Sequence, residues 1–194
     1  QATGAQGEES LAETAARIAA IRETLEETGL LLGLNRQFSA QEAAQARRIV
    51  QESGALAEVL AAFGADLALD ALVPFARWVR AANPDRPVGR FDTYFYLANL
   101  GTGAVEICED TTESASLFWA TAAQALQRAD EGQIKVIFPT RRNLERLAQF
   151  ASFEQACADA AAFPVTPVHS YRETRDGVEW LKIPEGLGYP ITAQ

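Results

Sequence analysis

Histidine and cysteine are scarce in this sequence of 194 residues, which has one histidine, His169, and two cysteines. A zinc site rich in histidine is therefore excluded. A Ser-His-Asp triad would have to use His169, although no G-x-S-x-G motif precedes it. The cysteines, Cys108 and Cys157, form no C-x-x-C pair. Isolated thiols of this kind favour a reduced, cytoplasmic environment over a disulfide framework.

Long apolar runs and an excess of positive charge are also lacking. No run approaches the roughly 20 apolar residues of a membrane span, and the polar start, Gln1–Ser10, does not resemble a signal peptide. Lysine and arginine number 17 against 26 acidic residues, a net charge of −9. Because nucleic-acid polymers are bound by clustered positive charge, we do not expect nucleic acid as a partner. Because a membrane-spanning run is lacking, we do not expect a membrane either. A small phosphorylated substrate remains compatible, since divalent cations can bind it to an acidic site.

The spacing of apolar residues predicts helices mixed with short strands, an α/β or α+β fold. Glu8–Thr28 is predicted as one long helix, with Gly29 as its left-handed cap. Ser39 and Glu42 form a capping-box pattern for the next helix. The remaining predicted helices are Ala40–Ser53, Leu56–Phe63, Ala120–Gly132, Thr140–Phe150 and Ser152–Ala162. The predicted strands are Leu30–Leu34, an antiparallel pair Asp70–Val79 and Phe91–Leu100, Ser116–Trp119, and a hairpin within Val165–Pro184 that turns at Asp176-Gly177.

The first predicted helix carries three glutamates, Glu23, Glu26 and Glu27, whose spacing makes them neighbours on one face. Like charges this close repel by a few tenths of a kcal/mol per pair, roughly. A hard cation such as Mg²⁺ or Mn²⁺ would offset that cost. Arg22, one turn before Glu26, can hold a carboxylate in place. An ordinary solvated acidic face is the alternative. The predicted buried stripe of this helix consists of Leu11, Ala15, Ile18, Ile21 and Leu25.

The string Arg22-Glu23-Thr24-Leu25-Glu26-Glu27-Thr28-Gly29-Leu30 matches the R-E-U-x-E-E-x-G-U part of the Nudix box, in which U is aliphatic or small. The sequence therefore resembles the Nudix hydrolase superfamily over most of residues 8–150. Weaker similarities indicate bacterial relatives of the peroxisomal coenzyme A diphosphatase branch. They lie at Arg90–Leu97, Glu113–Thr121 and Phe138–Ala148.

The resemblance implies an α/β/α sandwich with a mixed sheet and hydrolysis of a diphosphate linkage by one or more divalent cations, Mg²⁺ or Mn²⁺. It also implies a single domain over residues 1–194 that lacks N-terminal strands. Residues 36–69 would be a helical insertion, and residues 151–194 would be a C-terminal helical and hairpin extension. The upstream part of the box departs from the family pattern, because eight residues rather than seven separate Glu13 from Arg22.

Carried over residue by residue, the resemblance makes Glu26 and Glu27 the principal metal ligands. Glu23 becomes a ligand or the general base, and Arg22 the orienting arginine. A further acid from a late loop is expected, with Glu113 as the candidate. The fallback acids are Glu109 and Glu106.

Two arginines, Arg77 and Arg90, lie in or beside predicted strands and are candidates to contact substrate phosphates. They can equally be outward-facing residues of the sheet. Arg141 and Arg142, after Pro139, are expected to be solvated.

Three functions fit the sequence. The leading one is hydrolysis of a coenzyme A-like or nucleoside diphosphate-linked substrate. The second is a Nudix-fold binding module without catalysis, and the third is an acidic helical interaction protein without a cation site. The intact acidic face favours the first over the second, and the predicted strands argue against the third. The insertion Arg36–Leu69 could supply an interface for a homodimer.

Overall fold

The computed structural model describes residues 2–79, 92–100 and 117–194, with side chains from residue 11 onward. The chain forms two compact units, each with most of its contacts within itself. The first unit is Gln1–Leu72 with Ala98–Phe118, and the second is Val73–Leu97 with Trp119–Gln194. The predicted mixture of helices and strands in a mixed α/β fold is confirmed. None of the helices in the described ranges is both long and apolar enough to cross a membrane.

Three helices form the described part of the first unit: α1 (Ala2–Thr28), α2 (Ala40–Ser53) and α3 (Leu56–Phe63). The bounds of α2 and α3 are those predicted, and the capping box between Ser39 and Glu42 is present. The predicted start of α1 at Glu8 is wrong, because the helix already begins at Ala2. No proline interrupts this segment, and alanine and glutamine favour helical backbone.

The core of the first unit lies under the second half of α1. Ile21 and Leu25 are fully buried, whereas Leu11 is 71% exposed and Ala15 is also exposed. The predicted buried stripe is therefore wrong at its N-terminal end. Gly33 has a φ of +69°, and a Cβ atom there would lie 2.6 Å from the Ile21 Cδ1 atom. The chain after α1 thus passes directly against the helix.

The predicted strand Leu30–Leu34 is wrong. This segment is irregular and makes only an isolated bridge between Leu34 and Leu67. A positive φ at Gly33 breaks the extended backbone that a strand needs. Asn35 and Asp66 close the loop reciprocally: the Asn35 N–H donates to the Asp66 carbonyl at 3.0 Å, and the Asp66 N–H donates to Asn35 Oδ1 at 3.1 Å.

A three-stranded sheet with the order β2-β1-β3 organises the second unit. The strands are β1 (Leu72–Val79), β2 (Asp92–Ala98) and β3 (Pro167–Val168). β3 runs parallel to β1, with Trp78 opposite Val168. The sequence did not predict β3. The antiparallel direction of the β1–β2 pair stays a prediction. β1 begins two residues later than predicted, because Leu69–Ala71 forms a turn of 3₁₀ helix.

Three helices and a hairpin complete the second unit. The helices are α4 (Ala122–Asp130), α5 (Phe138–Leu147) and α6 (Phe153–Ala162); the hairpin consists of β4 (Tyr171–Arg175) and β5 (Val178–Lys182). The predicted turn at Asp176-Gly177 is confirmed, with φ values of 53° and 79°. The predicted strand Ser116–Trp119 is wrong over its described part, since residues 117–120 have no regular structure; Ser116 lies outside the described residues.

Helix α5 presents charged residues to the interior of the second unit. Arg142, expected to be solvated, is 2% exposed. Its Nη1 donates to the Ala193 carbonyl at 2.9 Å, and its Nη2 donates to Glu145 at 2.8 Å. Arg146 is equally buried, and its Nε donates to Asp159 Oδ2 at 2.7 Å. A charge this deep needs such partners, so α5 is a structural helix of this unit.

Candidate functional site

The carboxylate face of α1 is oriented by the two residues that the helix buries most completely. Ile21 and Leu25 have no exposed surface, so the rotation of α1 about its axis is fixed. The Glu23 side chain then remains 59% exposed, whereas that of Glu26 is 24% exposed. Glu27 is exposed. The predicted cation ligands therefore share a helix face, with Glu26 the most shielded of the three.

Arg22 connects two of these carboxylates. Its Nη1 donates to both oxygens of Glu26, at 2.7 and 2.6 Å. Its Nη2 donates to Glu23 Oε1 at 3.3 Å. The expected pairing of Arg22 with a carboxylate is present, and Arg22 draws Glu23 and Glu26 toward one guanidinium. The catalytic roles assigned to these residues stay predictions.

The last turn of α1 is held by a second arginine that sequence reasoning missed. Arg47, from α2, donates through Nε to the backbone carbonyl of Glu26 at 2.9 Å and through Nη2 to that of Glu27 at 3.0 Å. The N–H of Leu30 donates instead to Thr28 Oγ1 at 3.1 Å. The only signal in the sequence was indirect: α1 has no basic residue in its last turn, where helix carbonyls need donors.

The donors on this face suit a hard divalent cation, because all of them are carboxylate oxygens. Within the described residues, no three His, Cys, Asp or Glu side chains converge closely enough to enclose a metal ion. Mg²⁺ is commonly bound by one or two carboxylates together with substrate phosphates rather than by an all-protein cage. The residues present therefore fit a cation that is shared with a phosphorylated substrate.

Two further residues named from the sequence, Arg77 and Glu13, each form an ion pair. Arg77, on β1, forms a two-point ion pair with Asp92, at 2.9 and 2.7 Å. These hydrogen bonds, with the charges of Arg77 and His169, hold the pKa of Asp92 below its ordinary value. A phosphate contact by Arg77 stays a prediction. Glu13 pairs with Arg17 at 2.9 Å.

Four further candidates lie outside the described residues. They are Arg90, Glu113, Glu109 and Glu106. Their proposed roles in phosphate or cation binding stay predictions.

Comparison with known proteins identifies a family over most of this chain. The family model of the NUDT19 Nudix domain matches residues 2–147. The acyl-coenzyme A diphosphatase NUDT19 of Gallus gallus is 32% identical over an alignment that covers 72% of this chain and 42% of the relative. The chain thus spans less than half the length of that curated relative.

A solved structure is also similar. The crystal structure of a Nudix hydrolase from Alicyclobacillus acidocaldarius has a TM-score of 0.57 and 29% sequence identity, covering 71% of this chain and 63% of that one. The matched region of the family model contains all of α1 with its carboxylate face. This chain therefore belongs to the NUDT19 Nudix domain family.

Proposed function

We propose that this chain hydrolyses a diphosphate linkage in a coenzyme A-like or nucleoside diphosphate-linked substrate, with Mg²⁺ or Mn²⁺ as the cofactor. The observation that carries the proposal is that Arg22 donates hydrogen bonds to both carboxylate oxygens of Glu26. Glu23 and Glu27 lie beside Glu26 on the same helix face. An arginine that holds an acidic side chain in a fixed orientation is the arrangement expected around a metal ligand.

In this proposal Glu26 and Glu27 hold the cation together with the substrate phosphates, Glu23 is the general base, and Arg22 keeps the Glu26 carboxylate in place. A bound divalent cation would polarise the phosphate oxygens and offset their negative charge. The Glu23 carboxylate, the more exposed partner of Arg22, accepts a proton from the attacking water. The water oxygen bonds to phosphorus as the bridging P–O bond breaks, and two phosphorylated products leave. The proton returns to bulk water from Glu23.

The similarity to an acyl-coenzyme A diphosphatase supports the proposed substrate class. An acyl-coenzyme A contains the diphosphate that the proposed chemistry needs. We therefore expect turnover of coenzyme A or acyl-coenzyme A to exceed turnover of ADP-ribose, NADH and dinucleoside polyphosphates. Separation of the products by chromatography, with Mg²⁺ and with Mn²⁺, measures this order directly.

The decisive experiment replaces the proposed ligands one at a time. Glu26→Gln and Glu27→Gln should lower hydrolysis by about 10- to 100-fold or more, because the cation loses a charged ligand. Glu23→Gln should lower kcat by about 10²- to 10⁴-fold as the general base is lost. Glu52→Gln is the matched control, an exposed glutamate on α2, and should leave turnover unchanged. Near-normal turnover in Glu26→Gln and Glu27→Gln, with an unchanged circular dichroism spectrum, would refute the assignment of these glutamates as cation ligands.

A second candidate is a Nudix-fold module that binds its ligand without catalysis. The observation in its favour is that no three acidic side chains converge among the described residues. A wild-type protein that binds Mn²⁺ and coenzyme A but releases no product over a long incubation would select this candidate.

A further inference from the structure

One side chain of helix α2, that of Arg47, hydrogen-bonds to the last turn of α1, and no comparison assigns it a role. Arg47 donates from two nitrogens to two successive backbone carbonyls of α1, those of Glu26 and Glu27. We propose that Arg47 is a positioning residue: it fixes the last turn of α1, and with it the orientation of the Glu26 and Glu27 carboxylates. This proposal rests on the proposed function, because it assigns Arg47 to the same cation site.

The carbonyls that Arg47 binds belong to the end of the helix, where the internal hydrogen-bond ladder runs out. The backbone N–H of Leu30, four residues beyond Glu26, donates to the Thr28 hydroxyl instead. Arg47 Nε therefore supplies a donor at a position that the helix itself does not satisfy. A positive charge is also favourable at this end, because helix dipoles place partial negative charge there.

Arg22 and Arg47 restrain different parts of the same glutamate. Arg22 binds the Glu26 side chain, and Arg47 binds the Glu26 backbone. If the backbone at Glu26 frayed, its carboxylate would change position even with its oxygens bound by Arg22. Both contacts are therefore needed to hold the ligand in a fixed position. Glu27 receives the second Arg47 contact through its carbonyl, and its backbone is restrained in the same way.

Arg47 can hold α1 because α2 is itself rigid. Ala46 and Val50, on either side of Arg47 in the sequence, are fully buried. The capping box at Ser39 fixes the start of α2, and Gly54, with a φ of 68°, closes its end. The guanidinium is thus presented from a well-packed element rather than from a loop.

The fork of the guanidinium explains why arginine stands at position 47. Nε and Nη2 lie on one edge of a planar group and reach the two carbonyls together. A lysine ammonium is a point charge on a flexible stem, so it holds such a pair less firmly. Arg47→Lys should therefore retain part of the function of Arg47.

The experiment compares Arg47→Ala and Arg47→Lys with Arg48→Ala, which removes the exposed neighbouring arginine of the same helix. The first readout is the Kd for Mn²⁺, measured from the free-Mn²⁺ signal in electron paramagnetic resonance. The second is hydrogen exchange at the Gly29 and Leu30 amides without metal. The third is kcat and KM with the best substrate of the panel.

For Arg47→Ala we expect Mn²⁺ binding weakened by about 10- to 100-fold, the range of a lost supporting contact around a metal ligand. Amide exchange at the end of α1 should accelerate, and kcat should fall while KM stays within about twofold. Arg47→Lys should lie between Arg47→Ala and wild type, and Arg48→Ala should match wild type. If Arg47→Ala does not fold, Arg47→Lys carries the same comparison.

Wild-type Mn²⁺ affinity and kcat in the foldable Arg47 variant would overturn the proposal, even if its thermal stability were reduced. An equal loss in Arg48→Ala would also overturn it, because the effect would then be one of general charge. A wild-type protein that neither binds Mn²⁺ nor hydrolyses any substrate refutes the proposed function and this inference together. If the wild type is active and the Arg47 variants keep its Mn²⁺ affinity and kcat, the inference about Arg47 is refuted and the proposed function is not.

Discussion

Gly33 is the position at which a single added methyl group should perturb the carboxylate helix most directly. Its φ of +69° lies in the left-handed region, and a Cβ atom would sit 2.6 Å from Ile21 Cδ1 and 2.8 Å from Leu72 Cδ1. Both contacts are too short to survive without movement. Ile21 has no exposed surface, so its side chain can move only by repacking within the core.

The magnitude of the Gly33→Ala effect has two parts. Holding an alanine in the left-handed region costs roughly 1–2 kcal/mol, and overpacking a filled core typically costs about 1–3 kcal/mol. Together they predict a loss of about 2–5 kcal/mol in the free energy of unfolding of the first unit. Gly54→Ala is the matched control, because Gly54 has a φ of +68° and nothing within 4 Å of its Cβ position. It should lose only the backbone part.

The measurement has to report on the first unit. All three tryptophans, Trp78, Trp119 and Trp180, lie in the second unit, so their fluorescence does not follow α1 directly. Hydrogen exchange at the Leu25 and Gly29 amides, or the urea midpoint by far-ultraviolet circular dichroism, gives the stability near α1. The difference between Gly33→Ala and Gly54→Ala isolates the steric part. Equal losses in the two variants would refute the reasoning that Gly33 is required for close packing against Ile21.

Two further perturbations test the second unit. Tyr189→Phe removes a buried hydroxyl that accepts from Trp78 Nε1 at 3.0 Å and donates to Asn143 Oδ1 at 2.9 Å. We expect a loss of about 1 kcal/mol in urea unfolding followed by tryptophan fluorescence, with the exposed Tyr171→Phe unchanged; equal effects would contradict the network. The Arg77 hydrogen bonds lower the pKa of Asp92 from 3.8, so their stabilisation is complete above that pH and is lost as the pH falls through the lower folded pKa. Because the pair is partly exposed, we expect at most about 1 kcal/mol. Asp92→Asn should have a lower free energy of unfolding than wild type at pH 6, and this difference should shrink toward pH 2. A difference that grew as the pH fell would contradict the prediction.

Helix α2, which the sequence predicted to the residue, carries a local signal at each of its ends. A capping box stands at Ser39, directly before the helix, and a left-handed glycine stands at Gly54, directly after it. The pairing of Arg22 with Glu26 is equally local, because residues four apart on a helix are neighbours. Such features depend on sequence spacing alone, which is why they could be predicted without a structure.

The errors come from features that depend on residues far apart in the chain. The apolar run Leu30–Leu34 has the composition of a strand, but its path is set by Gly33 packing against Ile21. Arg142 looked solvated because its partner, the carbonyl of Ala193, is 51 residues away. Arg47 was missed for the same reason, since its carbonyl acceptor on Glu26 lies 21 residues earlier. Tertiary contacts of this kind leave no local pattern to recognise.

The carboxylate face and the buried face of α1 come from the same short segment, and their geometry explains why the glutamates differ. A helix turns by about 100° per residue, so Glu23 lies about 200° from the buried Ile21, on the far side. Glu26 lies only about 100° from the buried Leu25, at the border of the core. The exposed fractions follow this placement, 59% for Glu23 against 24% for Glu26. A shielded carboxylate held by Arg22 suits a fixed ligand, whereas a proton acceptor must exchange its proton with water. The packing of Ile21 and Leu25 is thus consistent with the proposed roles of Glu26 as a ligand and Glu23 as the base, and we expect a change that rotated α1 to disturb both side chains together.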